Sequence, residues 1–210
     1  MRYFAENRAE GFTLVELLIA MTLGLIVLTS LASAFVSQHK AFDVQEQVAE
    51  MVQGARAAMD MINSELKMAG YDPTDVGIVG VPYSATQLEI RGDLNSDGET
   101  DGTASNDDTN EEIIYTYDSA NKQIDRNTGG GAQPFAENIQ SFTFTYWKDK
   151  DDDGDGQIDE VVLASDEADI RQIDITITSR TSKPDPDYGS NGGYRTYTLS
   201  SYVTPPNLGF

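Results

Sequence analysis

The sequence has no cysteine, a single histidine (His39), and 14 basic residues against 35 acidic ones, leaving a net charge of −21. Each shortage removes a class of function. Without cysteine there is no disulfide framework, no thiolate nucleophile and no zinc–thiolate centre. One histidine, beside Lys40 and just past an apolar run, leaves no Ser/His/Asp or Cys/His arrangement to assemble. It reads as an interfacial or solvated residue. Scarce lysine and arginine disfavour nucleic-acid binding, which needs basic clusters on phosphate. No internal repeat of solenoid length occurs. Gly129-Gly130-Gly131 lacks the Lys-Ser/Thr ending and strand–helix setting of a phosphate cradle, so residues 127–133 read as a flexible loop without a nucleotide role.

Charge is also absent from Leu17 to Gln38, and that run contains no proline and only one glycine, Gly24. About 20 such residues suffice to span a bilayer. At its lip stands Glu16. An acid near a bilayer interior costs roughly 2.5–3.5 kcal/mol on insertion scales, so a chain that keeps one there is expected to pair it. An ordinary signal peptide carries its apolar region before a small-residue cleavage site. Here the run follows Gly11 instead, and residues 12–36 are expected to cross the membrane.

Beyond the run, Val44, Val48, Met51/Val52, Ala55, Met59, Ile62 and Leu66 recur every three or four positions, the period of a one-faced helix. Glu46, Glu50, Arg56, Asp60 and Glu65 are expected on the other faces. Gly70 and Asp72-Pro73 stop the pattern. The prediction is one helix over 12–69, apolar all round in its first half and striped in its second. From residue 70 to 210 the texture changes to short alternating runs separated by Asp, Asn and Gly. Segments 87–91, 113–117, 142–147, 170–178 and 194–203 read as strands. Phe142, Phe144 and Tyr146 share one face, and Ile173, Ile175 and Ile177 another, as in an antiparallel sheet with one face covered. The fold class is therefore α+β, a long helix packed on an antiparallel β-rich head.

Two acidic loops share one register. Asp93-Leu94-Asn95-Ser96-Asp97-Gly98-Glu99-Thr100-Asp101 and Asp151-Asp152-Asp153-Gly154-Asp155-Gly156-Gln157-Ile158-Asp159 both fit D-x-[DN]-x-D-G-x-x-D. Calcium takes six to eight oxygens, and alternate residues of a tight loop can aim carboxylates at one centre, with glycine at position six permitting the turn. The expected ligands are Asp93, Asn95, Asp97, Asp101 and the Glu99 carbonyl, and Asp151, Asp153, Asp155, Asp159 and the Gln157 carbonyl. Position twelve, normally a bidentate glutamate, is Ala104 in one loop and Val162 in the other. Asp107, Asp108, Asp149 and Glu160 are the nearest candidates for a final ligand. The second loop carries the stronger pattern.

The stretch Gly11-Phe12-Thr13-Leu14-Val15-Glu16-Leu17-Leu18-Ile19-Ala20 resembles the N-terminal signature of type IV prepilins and type II secretion pseudopilins. The resemblance implies a leader, residues 1–11, cut after Gly11 by a prepilin peptidase, with N-methylation of the new terminus at Phe12. Glu16, then fifth in the mature chain, would neutralise the terminal ammonium of a neighbouring pilin subunit. Weaker similarities at Met68-Ala69-Gly70-Tyr71-Asp72-Pro73, Ile124-Asp125-Arg126 and residues 133–139 point to the PilW-like branch of minor pilins. Many pilins close a loop with a disulfide, which this chain lacks, so packing and calcium are expected to hold the head. The resemblance implies a non-enzymatic subunit acting in pilus assembly, priming or at the tip. It would sit in the inner membrane as a single pass with a periplasmic head, then in a cell-surface pilus. A pseudopilin of a type II secretion system and a calcium-dependent adhesin are the alternatives. A membrane-anchored hydrolase is disfavoured, since catalytic zinc wants imidazoles or thiolates.

Overall fold

In the computed structural model, which describes residues 11–100, 110–148, 160–161 and 170–208, one long helix precedes two antiparallel sheets. Helix α1 spans Leu14–Leu66. The chain divides into two units, Met1–Glu46 and Gln47–Phe210.

In the first unit, every side chain from residue 11 to 43 is exposed, and the apolar ones lie on all sides of the helix. This stretch is long and apolar enough to cross a membrane. Three of its hydroxyls are satisfied from within. Thr22 donates to the carbonyls of Leu18 and Ile19, Thr29 to that of Leu25 and Ser30 to that of Ile26, at 2.7–3.1 Å. Such back-bonding is what hydrocarbon demands of polar side chains. His39 packs edge-on against Phe35, with ring centroids 4.3 Å apart.

In the second unit, α1 buries Met51, Ala55, Ala58, Met59, Ile62 and Leu66, the stripe expected from its period. The helix ends at Leu66, before the expected boundary at 69. Its last turn tightens into i→i+3 bonds, Met68 N–H to Glu65 and Ala69 N–H to Leu66. Gly70 then adopts φ +74°, and its N–H donates to the Arg91 carbonyl at 2.8 Å. A Cβ on Gly80 would collide with the Gly70 backbone, so the two chain segments meet glycine to glycine.

The strands are β1 Gln87–Arg91, β2 Glu112–Asp118, β3 Gln123–Asn127, β4 Gln133–Ala136, β5 Ile139–Lys148, β6 Glu160–Val161, β7 Ile170–Arg180 and β8 Thr196–Val203. One sheet has the order β1-β2-β3-β4 and the other β6-β5-β7-β8, every pairing antiparallel. The expected strands are all present; β3, β4 and β6 are additional. Of the span 127–133, expected as a loop, residues 128–132 form the turn between β3 and β4, while Asn127 ends β3 and Gln133 begins β4. Tyr117 ties the sheets together, its hydroxyl donating to the carbonyls of Ile139 and Gln140. One core serves both. Ile62 and Leu66 join Leu88, Ile90, Ile113, Tyr115 and Ile124 of the first sheet to Ile139, Phe142, Tyr146, Ile173, Ile175 and Ile177 of the second. Fully burying an Ile or Leu contributes about 1.5–3 kcal/mol.

Glu65 departs from expectation. Its helical position reads as solvent-facing, yet it is buried. The Tyr115 hydroxyl donates to Glu65 Oε2, and Arg126 Nη2 lies 2.7 Å from Oε1. The carboxylate thereby joins α1 to β2 and β3. Removing one partner of a buried ion pair costs about 3–5 kcal/mol when the other stays buried. Arg126 keeps 21% of its side-chain surface. We therefore expect Glu65→Ala to cost the detergent-solubilised chain about 2–3 kcal/mol in urea unfolding, and Tyr115→Phe about 1 kcal/mol.

Burial pushes the Tyr115 phenol well above its usual value, with Glu65 as bonded anion adding to the effect. Burial likewise raises Tyr146, against a lowering backbone bond from Ser84. Both stay protonated in the folded chain while the unfolded chain ionises above pH ~10. Their contribution to stability is complete below that pH and falls above it, by about 1.4 kcal/mol per pH unit for each tyrosine. Urea midpoints should be flat through pH 9 and fall beyond pH ~10, less steeply in Tyr115→Phe.

Candidate functional site

Two places in the chain hold acidic groups in settings that ask for a partner. The first is the start of α1. Gly11 has open space around it and Phe12 is 91% exposed. Thr13 caps the helix. Its N–H and its hydroxyl both donate to Glu16 Oε2 at 2.8 Å, and the Glu16 N–H donates back to Thr13 Oγ1 at 3.2 Å. This reciprocal capping box satisfies backbone donors that a helix start leaves orphaned. The Thr-x-x-Glu spacing is its sequence signal. Glu16 is thus half provided for by its own chain: Oε2 takes both bonds, and Oε1 takes none among the described residues.

The second place is the loop that leaves β1. Its first acid, Asp93, is fully buried. Asp93 Oδ1 accepts the N–H groups of Ser96 (2.5 Å) and Asp97 (3.2 Å), and Oδ2 accepts those of Gly98 (3.0 Å) and the Thr74 hydroxyl (3.1 Å). The Asp97 N–H also reaches Asn95 Oδ1, and the Glu99 N–H reaches Asp97 Oδ1. Ser96 (φ +68°) and Gly98 (φ +85°) are left-handed, which folds successive N–H groups inward around Asp93.

The adjacent segment repeats the device. Asp72 accepts the N–H groups of Val76, Gly77 and Ile78, and the Thr74 hydroxyl. Desolvation opposes ionisation of Asp72, but these donors outweigh it and hold the carboxyl below its usual value.

Of the expected first-loop ligands, Asp93 and Asp97 converge. Asn95 and Glu99 sit in the same loop with exposed side chains, and Asp101 lies outside the described residues, as do Asp107 and Asp108. Asp151, Asp153, Asp155, Gln157 and Asp159 of the second loop, with Asp149, also lie outside them, and Glu160 begins β6. A residue the pattern does not include completes the first cluster. Carboxylate oxygens of Asp93, Asp97 and Glu111 all lie within 4.8 Å of one another, so the three could hold a metal ion. Glu111 stands just before β2, far along the chain from the loop, and no local motif marks it.

In the second unit, a groove of about 340 Å³ is lined by Gln47, Gly54, Met61, Phe135, Glu137 and Arg180, among others.

A family model described as the prokaryotic N-terminal methylation motif matches residues 7–32. No curated protein matches the sequence. Among solved structures, the chain is similar to a type IV-like pilin from Thermus thermophilus, with a TM-score of 0.44 and 10% identity, over 75% of this chain and 96% of that one.

Proposed function

We propose that this chain is a non-enzymatic minor pilin of the PilW-like kind, acting in the assembly, priming or tip of a type IV pilus. The observation that carries the reading is the segment Gly11–Glu16 at the head of an exposed apolar helix, within the residues that match the methylation motif. The prepilin peptidase cuts after Gly11 and Phe12 is methylated. Residues 12–36 hold the subunit in the inner membrane as a single pass, with the β-rich head in the periplasm, until it enters the filament. Other pilin subunits are its partners.

Glu16 drives that entry. Oε2 is occupied by Thr13, and Oε1 remains for the Phe12 ammonium of a neighbouring subunit. A carboxylate and an amine, each costly alone in hydrocarbon, offset one another when paired. Intact mass of the protein from native membranes should show loss of residues 1–11 and one added methyl. Glu16→Ala should leave membrane anchoring intact and cut filament incorporation by at least tenfold. A mature chain beginning at Met1, or normal incorporation of the variant, refutes the reading. Deletion of the gene should abolish surface filaments and leave protein secretion intact; the reverse outcome marks a secretion pseudopilin.

The head is held by calcium in place of a disulfide, at the loops beginning Asp93 and Asp151. Repelling carboxylates order around the ion, and extracellular sites of this kind bind at about 0.1–1 mM, so the head locks only after export. At free calcium 100 times Kd, binding adds about 2.7 kcal/mol to stability. The melting temperature of the solubilised protein should therefore fall on addition of EDTA and recover with excess calcium. An identical melt in both conditions removes calcium from the account.

A further inference from the structure

Glu111 is only 2% exposed, and its two carboxylate oxygens have different surroundings. Oε1 accepts the N–H groups of Leu94 (2.7 Å) and Asn95 (2.8 Å), strapping the acidic loop to the residue that precedes β2. Oε2 is buried and has no hydrogen-bond partner among the described residues. An orphaned carboxylate oxygen away from water is costly unless a cation or donor meets it.

The neighbours of Glu111 make the need for a cation greater. Asp93, fully buried, and Asp97 bring carboxylate oxygens to within 4.8 Å of those of Glu111. Among the described residues, no lysine or arginine forms an ion pair with any of the three. Calcium–oxygen bonds of 2.3–2.6 Å allow two oxygens on one ion to stand up to about 5 Å apart, whereas magnesium, at 2.0–2.1 Å, allows about 4.2 Å. Oxygens within 4.8 Å of one another fall inside the reach of calcium.

Asp93 is able to take part. Its four acceptor positions are filled by three N–H groups and the Thr74 hydroxyl. That hydroxyl stands 3.1 Å from Asp93 Oδ2 and 3.2 Å from Asp72 Oδ1. Its single hydrogen serves one of them at a time. Turned to Asp72, it frees a lone pair on Asp93 for the ion and leaves the backbone bonds in place.

We infer that Glu111 closes a calcium site with Asp93 and Asp97, supplying from across the β1–β2 hairpin the carboxylate that Ala104 does not provide at position twelve. The inference rests on the calcium reading of the head and adds its distant ligand. The ion then joins the two stems of the hairpin beyond their last paired residues, Arg91 and Glu112.

The test uses the full chain in detergent with Asp151→Asn, Asp153→Asn and Asp155→Asn, which silences the second loop. Calcium chloride is titrated calorimetrically, with magnesium chloride as the control. This background should bind one calcium, with magnesium weaker. Adding Glu111→Gln should weaken calcium binding by at least tenfold, and Asp97→Asn should do likewise. In EDTA, Glu111→Gln should melt at a higher temperature than its background, because one of the two buried acids of the cluster is gone. Unchanged calcium affinity in Glu111→Gln, or a background that binds none while the unaltered chain binds, overturns the site and leaves the calcium reading standing. An unaltered chain that binds no calcium overturns that reading itself. If Glu111→Gln does not unfold cooperatively, Glu111→Asp withdraws the carboxylate by one methylene and is judged by the same tenfold criterion.

Discussion

Ile62 and Leu66 lie where the last turns of α1 meet residues from both sheets, and each sheet depends on them to close its apolar face. Neither sheet is large. Among the described residues each has four strands, and in one of them β6 contributes Glu160 and Val161. Sheets of this size need an apolar face packed on something to be stable. The helix stripe supplies that surface to both at once, so the second unit has one core where its strand order alone would give two half-cores. Glu65, one position before Leu66, fixes how the helix sits on that core. Its carboxylate accepts from β2 through Tyr115 and from β3 through Arg126. An apolar stripe can slide along a sheet with modest loss; a bonded carboxylate between two strands cannot.

The excess of acid is put to structural use in the loops. Asp72, Asp93 and Asp118 each gather two or three backbone N–H groups that no strand or helix satisfies. At Asp118 the backbone bond from Asn121 leads in holding the carboxyl below its usual value. Buried or half-buried backbone donors must find acceptors, and a chain rich in aspartate has them at hand. The same supply crowds anions together wherever two such loops come close, as they do around Thr74 and Glu111.

Much of this was legible in the residues. The bounds of β1 match the expected 87–91, Ile173, Ile175 and Ile177 are all fully buried as their alternation requires, and the helix stripe is correct from Met51 onward. Periodic burial writes itself into sequence. What was missed lacks periodicity or locality. In β3 only Ile124 is buried, and β4 contains Pro134 and no fully buried residue, so neither alternates. The place of Glu65 depends on Arg126, 61 residues away, and charge on a helix reads as solvent-facing until that partner is known. Glu111 is invisible to a loop pattern because it lies across the hairpin. The Thr13–Glu16 box, by contrast, is local: Thr-x-x-Glu before an apolar run is a helix-start pattern.

Glu16 and Glu111 pose one problem in two solvents. Each carboxylate is fixed by local donors on a single oxygen, Glu16 through Thr13 and Glu111 through the N–H groups of Leu94 and Asn95. The local bonds orient the group and keep the unpartnered state tolerable. They also leave the second oxygen aimed outward from the bonded one, at a fixed place and without a competing donor among the described residues. A carboxylate held this way loses little conformational freedom when a cation arrives, so more of the attraction survives as binding. On the proposed reading, the cation that fits Glu16 is an amine brought by another protein chain, and the one that fits Glu111 is a divalent ion drawn from the medium. The two proposed roles of the chain, joining neighbours through its helix and ordering its head, then follow from the same half-satisfied acid.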